Sequence, residues 1–265
     1  AAVHKLLTRN EMYASEQAMK AVKAEGKSLL DRQVWLPETV MKKRDLIAKS
    51  VADKKPIVMG DLLTTCSVKH WENPALHRYK GRICFRGDCA KDEHGKAAAY
   101  QDLGASPAGI FSINSNIPYG CCPGNTTTAS DAITAYLQAL LLALIATWVA
   151  IPIELWPEDG SWQRMGFKNY GDDRPMCRLY KALYGHPEAG GHWERLLNKS
   201  MKELGAIPVP GHKSSFWFPK QFQLLTVYVD DLLLSGPAEL HAEVWKNIRS
   251  KVDTEDPEPL DRYLG

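Results

Sequence analysis

Two adjacent aspartates, Asp230 and Asp231, interrupt the apolar run LLTVYVDDLLLSG near the end of this 265-residue chain. Two carboxylates buried side by side repel, and each is costly to desolvate unless something neutralises it. Hard divalent cations are the usual remedy. Mg²⁺ takes oxygen ligands and keeps positions open for phosphate oxygens, which suits phosphoryl transfer with two ions about 3.5–4 Å apart. A site of that kind needs a further carboxylate from elsewhere in the chain. Taken alone, an Asp-Asp pair fits a solvent-exposed hairpin turn equally well. A second chemical signal lies at RYKGRICFRG, residues 78–87. In a strand, alternation puts Lys80, Arg82, Cys84 and Arg86 on one face, where guanidinium forks suit a triphosphate. An ordinary solvated strand face reads the same way.

These residues need elements to hold them. QLLTVYV and LLLSG flank the aspartates as the arms of a hairpin with an Asp-Asp turn. PIVMGDLLTTCSVKHW and YKGRICFRG form a second hairpin around Glu72-Asn73-Pro74. Residues 8–30 carry apolar positions at helical spacing, with Thr8 or Asn10 as the cap. Residues 87–130, rich in Gly, Pro, Ser and Asn, read as loop and short strand pieces, and residues 158–176 as a polar connection. CRLYKALYG reads as extended, EAGGHWERLLNKSMKELG as a helix ending near Gly205, SSFWF as a strand and AELHAEVWKNIRSKVD as a closing amphipathic helix. Helices interleaved with antiparallel strands make an α+β fold.

Composition narrows the function classes. Hydrophobic residues make up 45% of the chain, enough for a real core and against a disordered tail. Residues 1–100 carry 19 Lys+Arg against 12 Asp+Glu, and the remainder 14 against 19. A basic half joined to an acidic half suits a protein that grips a polyanion with one part and metal cations with the other. The six cysteines are irregularly spaced, which favours a reduced, intracellular setting. Cys84, Cys89 and His94 lack the CxxC start and fourth ligand of a zinc knuckle. The triplet Arg86-Gly87-Asp88 is a chance match to an integrin-binding motif. Residues 132–153 form a charge-free run of 22, long enough to cross a bilayer. Flanking Asp131 and Glu154, with no Lys or Arg cluster, argue instead for a buried helix running into a buried strand.

Tyr228-Val229-Asp230-Asp231 resembles the catalytic box of reverse transcriptases, in the form typical of copia-type retrotransposons. Three further stretches fit in the family's order. TTASDAITAYLQALL, residues 126–140, resembles DVKTAFLNG; this implies that Asp131 is the first metal-binding aspartate and Tyr136 the aromatic gate that crowds a ribonucleotide 2′-hydroxyl. A helix cap is the alternative role for an Asp in that position. RYKGRICFRG is similar to YKARLVARG, with Arg82 the leading triphosphate contact and Lys80 and Arg86 behind it. LYKALYGHPEAGGHW, residues 179–193, resembles LKKALYGLKQAPRAW but departs from it, with Glu188 for Gln and Gly191 for Arg. Glu188 is thereby placed beside the incoming nucleotide. Tyr228, Tyr184 and Trp193 are placed near primer and template, with ordinary core packing as the alternative for Tyr184 and Trp193. EQAMKAVKAEGKSLLDRQVW resembles the family's opening helix, and the final RYLG its FLG, so the resemblance covers nearly the whole chain.

The resemblance implies a right-hand polymerase fold. Fingers are expected at about 1–110 and 141–187, and a palm at about 111–140 and 188–265; the thumb and RNase H portions are expected to be absent. Asp131, Asp230 and Asp231 would hold two Mg²⁺ ions, with Mn²⁺ as a substitute. The implied partners are an RNA template, a DNA primer, deoxynucleotides and other parts of a retrotransposon polyprotein, with no membrane and a cytoplasmic, virus-like-particle setting. The alternative from another class is a catalytically inactive polymerase-like fragment that at most binds nucleic acid. A single-span membrane protein is the third reading.

Overall fold

The computed structural model describes residues 3–100 and 107–260. In chain order the strands and helices are β1 (His4–Leu6), α1 (Arg9–Ala14), α2 (Glu16–Asp31), β2 (Trp35–Lys42), α3 (Lys43–Asp53), β3 (Ile57–Lys69), β4 (Arg78–Phe85) and β5 (Lys91–Asp92). There follow α4 (Ile110–Gly120), β6 (Asn125–Asp131), β7 (Ala146–Ala150), α5 (Ser161–Arg164), β8 (Pro175–Leu179) and α6 (Ala189–Glu203). The last are β9 (Ile207–Pro208), β10 (Ser215–Phe218), β11 (Gln223–Tyr228), β12 (Asp231–Pro237), α7 (Ala238–Arg249) and β13 (Glu258–Pro259). The fold is α+β, divided into two compact units: Ala1–Gln101 with Leu141–Pro187, and Asp102–Leu140 with Glu188–Gly265. The RYLG stretch lies outside the described residues.

In the first unit, Thr8 does cap a helix. Its side chain accepts from the Glu11 N–H while Glu11 reaches back to the Thr8 N–H, a complete capping box. The expected single helix is in fact two, because Ser15 leaves the helical conformation and its hydroxyl caps α2 through the Ala18 N–H. β3 and β4 pair antiparallel from Leu62–Phe85 to Lys69–Arg78, and Pro74–Leu76 in the connection form a short 3-10 turn. The seven-stranded sheet is mixed, since β3 also pairs with β7 in parallel.

The charge-free run contains no long helix, which corrects the expectation for residues 132–153. Thr134 takes a left-handed conformation at φ +52°, which an α-helix interior does not accommodate. Only a 3-10 turn at Ala135–Gln138 follows. Residues 139–142 are extended, with buried Ala139 and Leu141 alternating with exposed Leu140 and Leu142. Ala146–Ala150 then become β7, claimed by pairing with β3 and β8. Among the described residues no helix is long and apolar enough to cross a membrane.

The second unit is built on a six-stranded, wholly antiparallel sheet in the order β13-β6-β12-β11-β10-β9. Its two faces are covered by different helices. Leu225, Val227, Leu232 and Leu234 pack with Trp193, Leu197 and Met201 of α6 and with Val244, Trp245 and Ile248 of α7. On the other face lies α4, from which Asn116 reaches Thr226 and the Leu224 and Leu233 carbonyls. Leu232, Leu233 and Leu234 are all fully buried for this reason. A strand covered on both sides reads as a continuous apolar run. α4 itself falls where the sequence suggested loop and short strands.

Candidate active site: three carboxylates at one end of a sheet

The turn of the β11–β12 hairpin has the two residues the sequence suggested but falls one residue earlier. Tyr228 pairs with Asp231, so the two-residue turn is Val229-Asp230, and Asp231 is already the first residue of β12. The neighbouring strand on the other side of β12 is β6, whose last residue, Asp131, stands opposite Asp231. The last residue of β6, the first of β12 and the turn between β11 and β12 thus bring three carboxylates to the same end of the sheet.

The aspartates are not buried, which corrects the opening premise. Asp131 and Asp230 are exposed, and Asp231 is half-buried. Their interaction is nonetheless strong. Asp231 is pushed up to about 6, first by burial, then by the negative charges of Asp230 and Asp131, and finally by a side-chain hydrogen bond with Asp131. Asp131 and Asp231 thus stand opposite each other with a side-chain hydrogen bond between them, and Asp230 acts on Asp231 through its charge. Among the described residues, no group of three or more His, Cys, Asp or Glu is arranged to hold a metal ion.

The backbone around the carboxylates is held in unusual conformations. Val229 has φ +58° and Thr134 φ +52°. A β-branched residue with positive φ is a genuine outlier, and such strain collects where a site over-determines its geometry. The Asp230 carbonyl accepts the Ala132 N–H at 2.7 Å, and the Val229 carbonyl accepts Nε1–H of Trp193 at 2.7 Å. Tyr136 is half-buried and packs on the core; burial, with the Asp230 charge second, raises its phenol above the ordinary range. Pro107, Tyr136, Gly190, Trp193, Val227 and Val229 line a small cavity of about 20 Å³ behind the turn.

The other expected site residues divide as follows. Tyr228 is exposed beside the turn. Trp193, expected near the template, is 4% exposed and belongs to the core, so its polar edge serves the backbone. Glu188, expected beside an incoming nucleotide, is 7% exposed, with its carboxylate 3.9 Å from His192 Nε2 on the same helix. Glu188 is the N-cap residue of α6, so its carboxylate is buried at the start of that helix. Lys80 and Arg82 belong to the first unit and are exposed on β4 while Gly81 and Ile83 are buried, so the alternating face forms as the spacing suggests. They also temper Glu25 of α2, whose carboxyl burial raises and whose neighbours Lys80 and Arg82 lower. Arg86 lies one residue past β4 and donates from Nε and Nη2 to Asp88, 3.3 and 2.9 Å away. Tyr184, also in the first unit, contributes its carbonyl to the Phe85 N–H at 2.8 Å.

Asn116 is the residue the sequence reading missed. It is fully buried, and its Nδ2 lies 2.8–3.1 Å from Thr226 Oγ1 and from the Leu224 and Leu233 carbonyls, tying both arms of the hairpin to α4. An asparagine among Ser and Asn neighbours in a stretch with Pro118 carried no distinguishing signal.

No family model matches the chain. It is similar to the Retrovirus-related Pol polyprotein from transposon RE1 of Arabidopsis thaliana, 33% identical over 99 residues, which are 35% of this chain and 7% of that protein. It is also similar to the Retrovirus-related Pol polyprotein from transposon TNT 1-94 of Nicotiana tabacum, 25% identical over 194 residues, 72% of this chain and 13% of that protein. The chain is therefore homologous, at low identity, to transposon Pol polyproteins, and it matches a small part of their length.

Proposed function

We propose that the chain is the fingers-and-palm part of a copia-type retrotransposon reverse transcriptase, with the first unit as fingers and the second as a right-hand palm. The observation that carries this reading is the juxtaposition of Asp131 with Asp231 across neighbouring strands, with Asp230 in the adjoining turn. Homology to transposon Pol polyproteins supports it.

The donor set suits a hard cation. It is all oxygen, and Asp131 and Asp231 already share a hydrogen bond that a divalent ion would replace. These two, completed by Asp230, would hold Mg²⁺, with Mn²⁺ as a substitute. When bound, the ions supply positive charge that acidifies the primer 3′-hydroxyl and neutralises the leaving pyrophosphate. The chain's own work is positioning: the sheet fixes the carboxylates, the half-buried Tyr136 ring crowds the ribose 2′ position, and Lys80 and Arg82 offer charge to phosphates. The partners are an RNA template, a DNA primer and deoxynucleotides, and the setting is intracellular, within a larger polyprotein.

The test is primer extension on an RNA template with Mg²⁺. Incorporation is expected from the unsubstituted protein and none from Asp231→Asn or Asp230→Asn; equal incorporation by all three refutes the reading. One observation favours a second reading, an inactive polymerase-like fragment: the three carboxylates are not gathered into a three-ligand group. Salt-dependent binding of a primed duplex without incorporation would select it.

A further inference from the structure

The turn that carries Asp230 is held in a shape its own residues disfavour. Val229 stands at φ +58°, a conformation that β-branched residues rarely adopt. With only two residues between paired Tyr228 and Asp231, the strands leave no slack to relieve it. Two hydrogen bonds oppose recoil. One is the Ala132 N–H to the Asp230 carbonyl; the other is Trp193 Nε1–H to the Val229 carbonyl, both at 2.7 Å.

The second bond comes from outside the sheet. Trp193 is the fifth residue of α6, 4% exposed and in one core cluster with Leu197, Val227 and Leu232. A ring of the same shape without the N–H would keep the packing; only the indole meets the carbonyl.

We infer that Trp193 is the positioning residue of the carboxylate turn: its N–H holds Val229 left-handed and thereby fixes where Asp230 stands relative to Asp131 and Asp231. The catalytic consequence rests on the polymerase reading; the grip on the turn does not.

The experiment replaces Trp193 by benzothienylalanine, in which sulfur takes the place of N–H, and separately makes Trp193→Phe. Three readouts follow: amide exchange at Ala132, Mn²⁺ affinity by electron paramagnetic resonance, and steady-state primer extension. Loss of one buried hydrogen bond should speed Ala132 exchange and weaken Mn²⁺ binding about tenfold each. It should also lower kcat by about ten- to a hundredfold with KM for the deoxynucleotide nearly unchanged, the pattern of misplaced groups. In a Val229→Gly background, where positive φ is unstrained, the same replacement should cost about threefold or less. Unchanged Ala132 exchange in the isosteric variant overturns the inference, as does an undiminished effect in the glycine background. If Ala132 exchange responds as expected while the unsubstituted protein neither binds Mn²⁺ nor extends a primer, Trp193 holds the turn and the polymerase reading falls.

Discussion

Asp131→Asn should stabilise the metal-free protein at neutral pH and not at acid pH. Asp231 stands at about 6 in the folded chain against an ordinary value of 3.8. Its folded value is the higher one, so the native state holds the proton more tightly than the unfolded chain. Stability therefore falls as pH rises from about 4 through about 6, and above that range the whole penalty is present. At 1.36 kcal/mol per unit the shift corresponds to roughly 3 kcal/mol, and solvent screening of this partly exposed carboxylate brings it to about 1 kcal/mol. Burial is the first cause of the shift and remains in the variant, but the Asp131 charge is removed and the new amide can donate to the ionised Asp231 carboxylate. The expected gain is thus a few tenths to about 1 kcal/mol at pH 7.5 and near zero at pH 4.5. Urea denaturation at the two pH values, in the presence of chelator, measures it. Effects of the substitution that do not depend on protonation cancel in the difference between the two pH values. A difference of zero, or one that favours the unsubstituted protein at pH 7.5, would refute the electrostatic account of the site. Added Mg²⁺ should reverse the order by stabilising the unsubstituted protein more.

Two further substitutions address neighbouring parts of the site. Asn116→Ala removes a buried amide that reaches three acceptors on the hairpin and should cost about 2–3 kcal/mol in urea denaturation; a loss below the precision of the measurement would show that α4 does not hold the strands. Tyr136→Ala should relax discrimination against ribonucleotides in primer extension, and unchanged selectivity would remove the gate role from this half-buried ring.

Elements with a strong local pattern were legible in the sequence. The arms around the Asp230-Asp231 pair are apolar, β-prone and separated by two residues, so the hairpin follows from composition, although its turn falls one residue earlier, at Val229-Asp230. Thr8 was one of two cap candidates with Asn10, and the capping box it forms with Glu11 decides between them. α4 was hidden because IFSINSNIPYG is poor in helix formers, and packing against β6, β11 and β12 overrides that preference. The charge-free run misled for the opposite reason. Its length suggested a buried helix, yet Leu140 and Leu142 face solvent in an extended segment, and no property of leucine distinguishes the two. Trp193 was legible as an aromatic near a helix start, but the direction of its N–H depends on where the hairpin docks on α6.

The location of the carboxylates follows from the covering of the sheet. β6, β11 and β12 are flanked by α4 on one face and β11 and β12 by α6 and α7 on the other, so a charge in mid-strand would be desolvated. The ends of these strands are the places where charge can meet water. Asp131 closes β6, Asp231 opens β12 and Asp230 occupies the turn between β11 and β12. What brings them together is register. Opposite Asp231 stands Asp131, and seven consecutive pairs from there to Pro237 and Asn125 hold that alignment. A slip of one residue would move Asp231 off Asp131 and part the carboxylates at once, although the leucines of β12, buried on both faces, would stay buried. The hydrogen-bonded register of the β6–β12 ladder is therefore what sets the two aspartates opposite each other. It is a pairing of segments about a hundred residues apart, which neither segment announces alone.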